Sequence, residues 1–118
     1  MRVALAQLNF CVGDIDGNTA KIVNAIETAR DGSAADLIAF PELAVTGYPP
    51  EDLLFRPGFH RRVEQALDTI AKAARGITVA VGHPEQKEKL VFNSCSVFRD
   101  GRLAARYRKQ QLPNYAVF

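Results

Sequence analysis

Two charged side chains stand just past apolar runs, where open α/β sheets place their chemistry. Glu42 lies in Phe40-Pro41-Glu42-Leu43-Ala44-Val45-Thr46-Gly47-Tyr48, between a proline and a hydrophobic stretch. A carboxylate there is expected to be partly desolvated, which raises its pKa and suits it to general-base work. Accepting backbone N–H bonds, as a cap for the loop, is the competing role for the same residue. Lys109 follows Arg106-Tyr107-Arg108 at the end of a later run. A fixed ammonium can stabilise an oxyanion or hold a carboxylate ionised. With Arg106 and Arg108 beside it, a solvated basic patch is the simpler reading of these residues taken alone.

The sequence offers no evident nucleophile. Cys95 sits inside Val91-Phe92-Asn93-Ser94-Cys95-Ser96-Val97-Phe98, and strand interiors usually hold cysteine as a small buried hydrophobe. Cys11 precedes a turn, where packing is again the expected role. Neither stands beside a base or at an evident helix N-terminus, the settings that lower a thiol pKa. His60 and His83 are far apart, and no acidic or cysteine cluster has metal-ligand spacing, so no metal is expected. Gly13, Gly17 and Gly32 form no phosphate loop, so no nucleotide site is expected within these residues.

The elements that must position these groups follow from periodicity. Residues 2–10 are apolar on both alternating faces, as in a strand covered on two sides. Gly13-Asp14-Ile15-Asp16-Gly17-Asn18 reads as a turn and helix start, and Ala20, Ile22, Val23, Ile26 and Ala29 keep helical spacing until Gly32-Ser33. Residues 36–40 form a second buried strand, ended by Pro41. The order strand, helix, strand implies a right-handed parallel βαβ unit. Residues 41–58 hold Pro41, Pro49, Pro50, Pro57, Gly47 and Gly58, a long irregular connection at a strand's C-terminal end. Val63, Ala66, Leu67, Ile70, Ala71 and Ala74 mark a second helix ending near Gly76. A third strand spans residues 77–82, and Glu85 to Lys89 reads as a charged, exposed hairpin tip. Residues 91–99 and 102–107 are strands joined by Asp100-Gly101, a strong hairpin signal.

Composition sets the outer bounds. The chain has 118 residues, too few for more than one domain of ordinary size. Hydrophobic residues make up 47%, which argues against disorder. A net charge of +2 is too small to argue for a nucleic-acid surface. No apolar run approaches the ~18 residues of a membrane span, and the first residues lack a signal-peptide pattern. Two cysteines suggest no disulfide framework. A cytoplasmic location is the expectation. Only two helices are available to cover the sheet, which points to a truncated domain or a missing partner.

Taken together, these segments resemble the nitrilase (carbon–nitrogen hydrolase) superfamily over essentially the whole chain. The resemblance is carried by the opening strand, Gly13 to Asn18, Phe40-Pro41-Glu42-Leu43 with Thr46-Gly47-Tyr48, and Arg106-Tyr107-Arg108-Lys109. Tyr48-Pro49-Pro50-Glu51-Asp52-Leu53-Leu54 and Lys109-Gln110-Gln111-Leu112-Pro113-Asn114-Tyr115 further resemble the glutaminase domain of bacterial glutamine-dependent NAD synthetases.

The resemblance implies an αββα sandwich, of which this chain would supply about two helices and five to six strands. It implies a Glu–Lys–Cys triad in that order, with Glu42 as general base and Lys109 as the oxyanion-stabilising lysine. Tyr48 and Tyr115 match positions implied to line a glutamine pocket. The family's nucleophile lies well downstream of the lysine, so Cys95, which precedes Lys109, has the wrong order and the wrong element. Residues 1–118 then correspond to the N-terminal part of a glutaminase domain, inactive alone. The implied partners are glutamine and a C-terminal synthetase domain using ATP and Mg, in an enzyme expected to be a homo-oligomer. A truncated stand-alone amidase and a non-catalytic module of the same fold remain the alternatives.

Overall fold

The computed structural model describes residues 1–47 and 56–111, and local chemistry starts the first of its helices, whereas the second begins at Gly58 with no side-chain cap. In α1 (Ile15–Asp31), the Asp14 side chain accepts from the Gly17 amide at 3.0 Å, satisfying one of the orphan donors of the first turn. Its buried face is Ile15, Ile22, Ile26 and Ala29; Ala20, expected on that face, is exposed. In α2 (Phe59–Ala73), Val63, Ala66, Leu67, Ile70 and Ala71 are buried as their spacing requires.

The helices alternate with short parallel strands. β1 (Val3–Leu5) pairs with β2 (Leu37–Ala39), and β2 pairs with β3 (Thr78–Lys87), both parallel. β3 then pairs antiparallel with β4 (Leu90–Arg99), and β4 with β5 (Arg102–Gln111), giving a five-stranded sheet in chain order. Asp100 and Gly101 both adopt positive φ (53° and 80°), as the turn between β4 and β5 demands. Of the two helices and five to six strands expected of a partial nitrilase-like sandwich, two helices and five strands are present among the described residues, as one helical layer on one sheet.

One core fills the space between that layer and the sheet, joining Ile22, Ile26, Val63 and Ile70 of the helices to Ile38, Val79, Val81 and Phe98 of the strands. The period-2 alternation of strands puts the next residue on the other face. There, among the described residues, Val3, Leu5 and Tyr107 are exposed. β1 is thus covered on one face only and is three residues long, shorter than residues 2–10 suggested. The hairpin tip is also narrower than expected. β3 runs on to Lys87, leaving Glu88 and Lys89 as the turn, and Glu85 is buried.

Candidate active site

The turn after β2 carries Glu42, and β3 fixes where that turn can lie. The Phe40 amide donates to the Ala80 carbonyl at 2.9 Å, and the Val45 amide to that of Gly82 at 3.3 Å. Between these bonds the turn presses on Gly82, where a Cβ would stand 2.6 Å from the Leu43 nitrogen, 2.8 Å from the Pro41 oxygen and 3.0 Å from the Glu42 Cα. Leu43 takes a φ of 53°, a left-handed conformation costing roughly 1–2 kcal/mol for a residue with a Cβ, while its side chain is fully buried. The far end of the turn is tied down by Asn18, which has no exposed surface. Its Oδ1 accepts from the Cys11 amide at 2.8 Å, and its Nδ2 donates to the carbonyls of Cys11 (2.7 Å) and Val45 (3.2 Å). Gly13 donates to Thr46 at 2.9 Å. A shallow cleft of about 430 Å³ opens beside Glu42, between the segment Leu8 to Phe10 and the turn itself.

Lys109 reaches the same point from β5. The register pairs Asn93 with Gln110 and Ser94 with Arg108, so Lys109 is the extra residue of a bulge, a device that re-aims a side chain. Its Nζ donates to Glu42 Oε2 at 2.6 Å. The expectation that desolvation raises the Glu42 pKa is corrected here. The hydrogen bond from Lys109 dominates; burial opposes it, and the Asn93 amide and the Lys109 charge add to it, so the carboxyl lies below its ordinary value. The side chain is 38% exposed, too wet for burial to prevail. Glu42 in turn raises the Lys109 ammonium. The pair can hold a carboxylate ready to accept a proton beside a cation ready to meet negative charge.

The basic patch expected around Lys109 does not form, because strand parity divides it. Arg106 and Arg108 turn to the helix face. There Glu85 accepts from Arg108 Nε at 2.9 Å and Nη2 at 3.1 Å, from Ser94 at 3.0 Å, and more distantly from Arg106. Burial alone would raise the Glu85 carboxyl, but Arg108, Ser94 and Arg106 outweigh it and leave it lowered. His83, fully buried beside this cluster, contacts Ser96 Oγ at 2.7 Å and the Pro84 carbonyl at 3.0 Å. Arg106 Nε donates to the same Ser96 oxygen at 2.8 Å. Ser96 therefore donates to His83 Nε2, and His83 Nδ1–H to Pro84. Burial pushes the His83 pKa down to about 4, so the ring is neutral.

Cys95 lies mid-β4, opposite Gly82 and Tyr107, and is half-buried. Burial pushes its thiol pKa up, against the Val81 backbone and the Lys109 charge, so it stays protonated at neutral pH. Cys11 is exposed. His60 opens α2, its ring edge-on to Phe59 at 5.4 Å. Among the described residues no group of three or more His, Cys, Asp or Glu could hold a metal ion, and no helix is long and apolar enough to cross a membrane. Tyr48 and Tyr115 lie outside the described residues. Sequence reasoning did not single out Gly82 or Asn93; the alternation that puts Cys95 on the open face is the signal that places both there.

The family model for carbon–nitrogen hydrolases matches residues 2–117. The chain belongs to the carbon–nitrogen hydrolase family. Within that family it is 54% identical over 118 residues to a glutamine-dependent NAD(+) synthetase of Xanthomonas campestris pv. campestris, covering all of this chain and 21% of that protein. A solved glutamine-dependent NAD+ synthetase from Acinetobacter baumannii superposes with a TM-score of 0.86 at 41% identity, over 98% of this chain and 22% of that one. An amidase from Nesterenkonia sp. superposes at 0.80 with 26% identity, over 97% of this chain and 44% of that one. This carbon–nitrogen hydrolase chain thus spans about a fifth of the length of the curated relatives it matches.

Proposed function

We propose that this chain supplies the general base and the oxyanion lysine of a glutaminase, which hydrolyses the side-chain amide of glutamine to ammonia. The ammonia serves ATP-dependent conversion of nicotinic acid adenine dinucleotide to NAD. The observation that carries this is the 2.6 Å Glu42–Lys109 contact, formed between residues 67 positions apart on the uncovered face of the sheet. Identity of 54% to a glutamine-dependent NAD(+) synthetase supports the choice of substrate over other amides.

The charges assign the steps. Glu42, held ionised, takes the proton of a cysteine thiol supplied by sequence beyond residue 118. The thiolate attacks the amide carbon, and Lys109 meets the charge that develops on the oxygen. The tetrahedral intermediate collapses as Glu42 returns the proton to the departing nitrogen, releasing ammonia and leaving a thioester. Glu42 then takes a proton from water, whose oxygen attacks the thioester and frees glutamate and the thiol. Tyr48 and Tyr115 are assigned to glutamine binding by the family resemblance alone. ATP and Mg act in a synthetase domain, not at this pair.

The test uses the full-length polypeptide. Glu42→Gln and Lys109→Met are expected to lower glutamine-dependent turnover by about 10²–10⁴-fold, while synthesis from added ammonia persists. Cys95→Ala is expected to leave both intact. Glutamine turnover surviving Glu42→Gln would refute the assignment, as would turnover by residues 1–118 with both Cys11 and Cys95 replaced by alanine. Glutamine hydrolysis without ammonia-dependent NAD synthesis would identify a stand-alone amidase instead.

A further inference from the structure

Among the sheet residues on the face that carries Glu42, Asn93 is a buried polar side chain, at 2% exposure. Its neighbours in the register are Pro84 on β3 and Gln110 on β5. Strand parity sets it on the side of Cys95, away from Ser94 and Ser96, whose hydroxyls serve Glu85 and His83 on the helix face. The bulge that turns Lys109 towards Glu42 falls between Asn93 and Ser94, so Asn93 stands at the base of the ion pair. Its Nδ2 is inaccessible to water and makes no hydrogen bond of normal geometry. An amide donor buried this way is a standing cost unless something uses it. The acceptor it faces is the Glu42 carboxylate, whose Oε2 already takes Lys109.

We propose that Asn93 is a further positioning residue of this site, its amide donor closing on the Glu42 carboxylate to hold the base ionised and aimed. The proposal rests on the glutaminase reading above. The charged and titratable groups around Glu42 among the described residues are few. Lys109 comes from β5, with Tyr107 acting on Lys109, and β4 brings Cys95. β3 contributes Gly82 and Pro84 on this face, neither of which titrates. A hydrogen bond to the ionised form of a carboxyl favours that form. Loss of the donor therefore raises the pH at which Glu42 gains its proton, and the acid limb of the rate profile moves with it.

The experiment is the pH dependence of kcat/KM for glutamine in the full-length enzyme, for Asn93→Ala, Asn93→Asp and Asn93→Ser. Asn93→Ala is expected to move the acid limb to higher pH by about half a unit, and Asn93→Asp, which sets a like charge beside Glu42, by about one unit or more. Asn93→Ser keeps a small donor and is expected to stay nearest the wild-type limb. Amide-exchange protection of β3 and β4 reports whether the domain carrying each variant is folded; should Asn93→Ala fail to fold, Asn93→Asp against Asn93→Ser decides. Equal acid limbs in the folded variants, with any loss of rate uniform in pH, would overturn the proposal and leave Asn93 as packing. Glu42→Gln separates this from failure of the parent reading: if it keeps both rate and acid limb, Glu42 is not the base at all.

Discussion

His83 links folding to pH in a window of its own. It is fully buried and stays neutral because burial lowers its pKa from 6.5 to about 4. The unfolded chain binds its proton at 6.5, so between those two values the unfolded state carries more protons, and stability falls as pH falls. Across the whole interval the loss is roughly 3 kcal/mol; from pH 6.5, where half of the unfolded chains already carry the proton, to pH 5 it is about 1.6 kcal/mol, near fifteen-fold in the opening equilibrium. Carboxylates contribute little there, since Glu42 and Glu85 both titrate below the ordinary 4.5. Hydrogen–deuterium exchange on peptides spanning β3 and β4, corrected for the intrinsic pH dependence of exchange, reads that equilibrium. The wild type is expected to lose protection about fifteen-fold between pH 6.5 and pH 5. His83→Asn, which keeps an amide donor for the Pro84 carbonyl, is expected to be less protected at every pH but nearly flat across the window. A flat wild-type profile, or a variant with the same slope, would refute the burial argument.

Gly82→Ala places a Cβ within 3.0 Å of three backbone atoms of the Glu42 turn, none of which can rotate away. Thermal melts should show a loss of roughly 1–3 kcal/mol. Glutamine turnover should fall about a hundred-fold with ammonia-dependent synthesis retained, since a displacement near 1 Å is enough for that. Unchanged glutamine kinetics would show that the turn is not seated on β3. Glu85→Ala leaves Arg106 and Arg108 without their shared carboxylate and should cost roughly 2 kcal/mol, below the figure for a fully buried pair because Arg108 is 41% exposed. Glu85 has a lowered pKa, so its contribution is present above about 4.5 and fades as pH falls through the folded value. Denaturant melts in which Glu85→Ala matches the wild type at pH 7 would sink this.

The parts of the fold legible in the sequence are those with a local cause. Asp100-Gly101 announced its hairpin because the turn needs two positive φ values, and Asp14 announced α1 because its side chain reaches an orphan amide three residues on. The burial of Glu85 has no such local cause. In Glu85-Gln86-Lys87-Glu88-Lys89 composition says hairpin tip, and only parity counted from Val79, Val81 and His83 says that Glu85 points inward to two arginines across the sheet. The open face misled in the same way: Val3, Leu5 and Leu8 have the hydrophobicity of a covered strand yet are exposed. At the site, residue types and strand-end positions suggest a base and a cation that could share one cleft, and the family resemblance adds their roles. The roles of Gly82 and Asn93 are non-local and carry no signature in their own neighbourhoods.

Arg106-Tyr107-Arg108-Lys109 shows how one strand serves two purposes. The arginines sink their charge into Glu85 and Ser96 on the helix face, where low water content makes partnering obligatory. Lys109, freed by the bulge, meets Glu42 on the other side. That exposed pair adds little to stability, since a contact in water is typically worth 0–1 kcal/mol. Its geometry must come from elsewhere, and the backbone supplies it: the missing Cβ of Gly82, the left-handed Leu43 and the Asn18 tether hold one partner, and the bulge holds the other. An ion pair that contributes little to folding, yet is fixed by so many non-local constraints on both sides, is better explained by what its charges do to a substrate than by what they do for the fold.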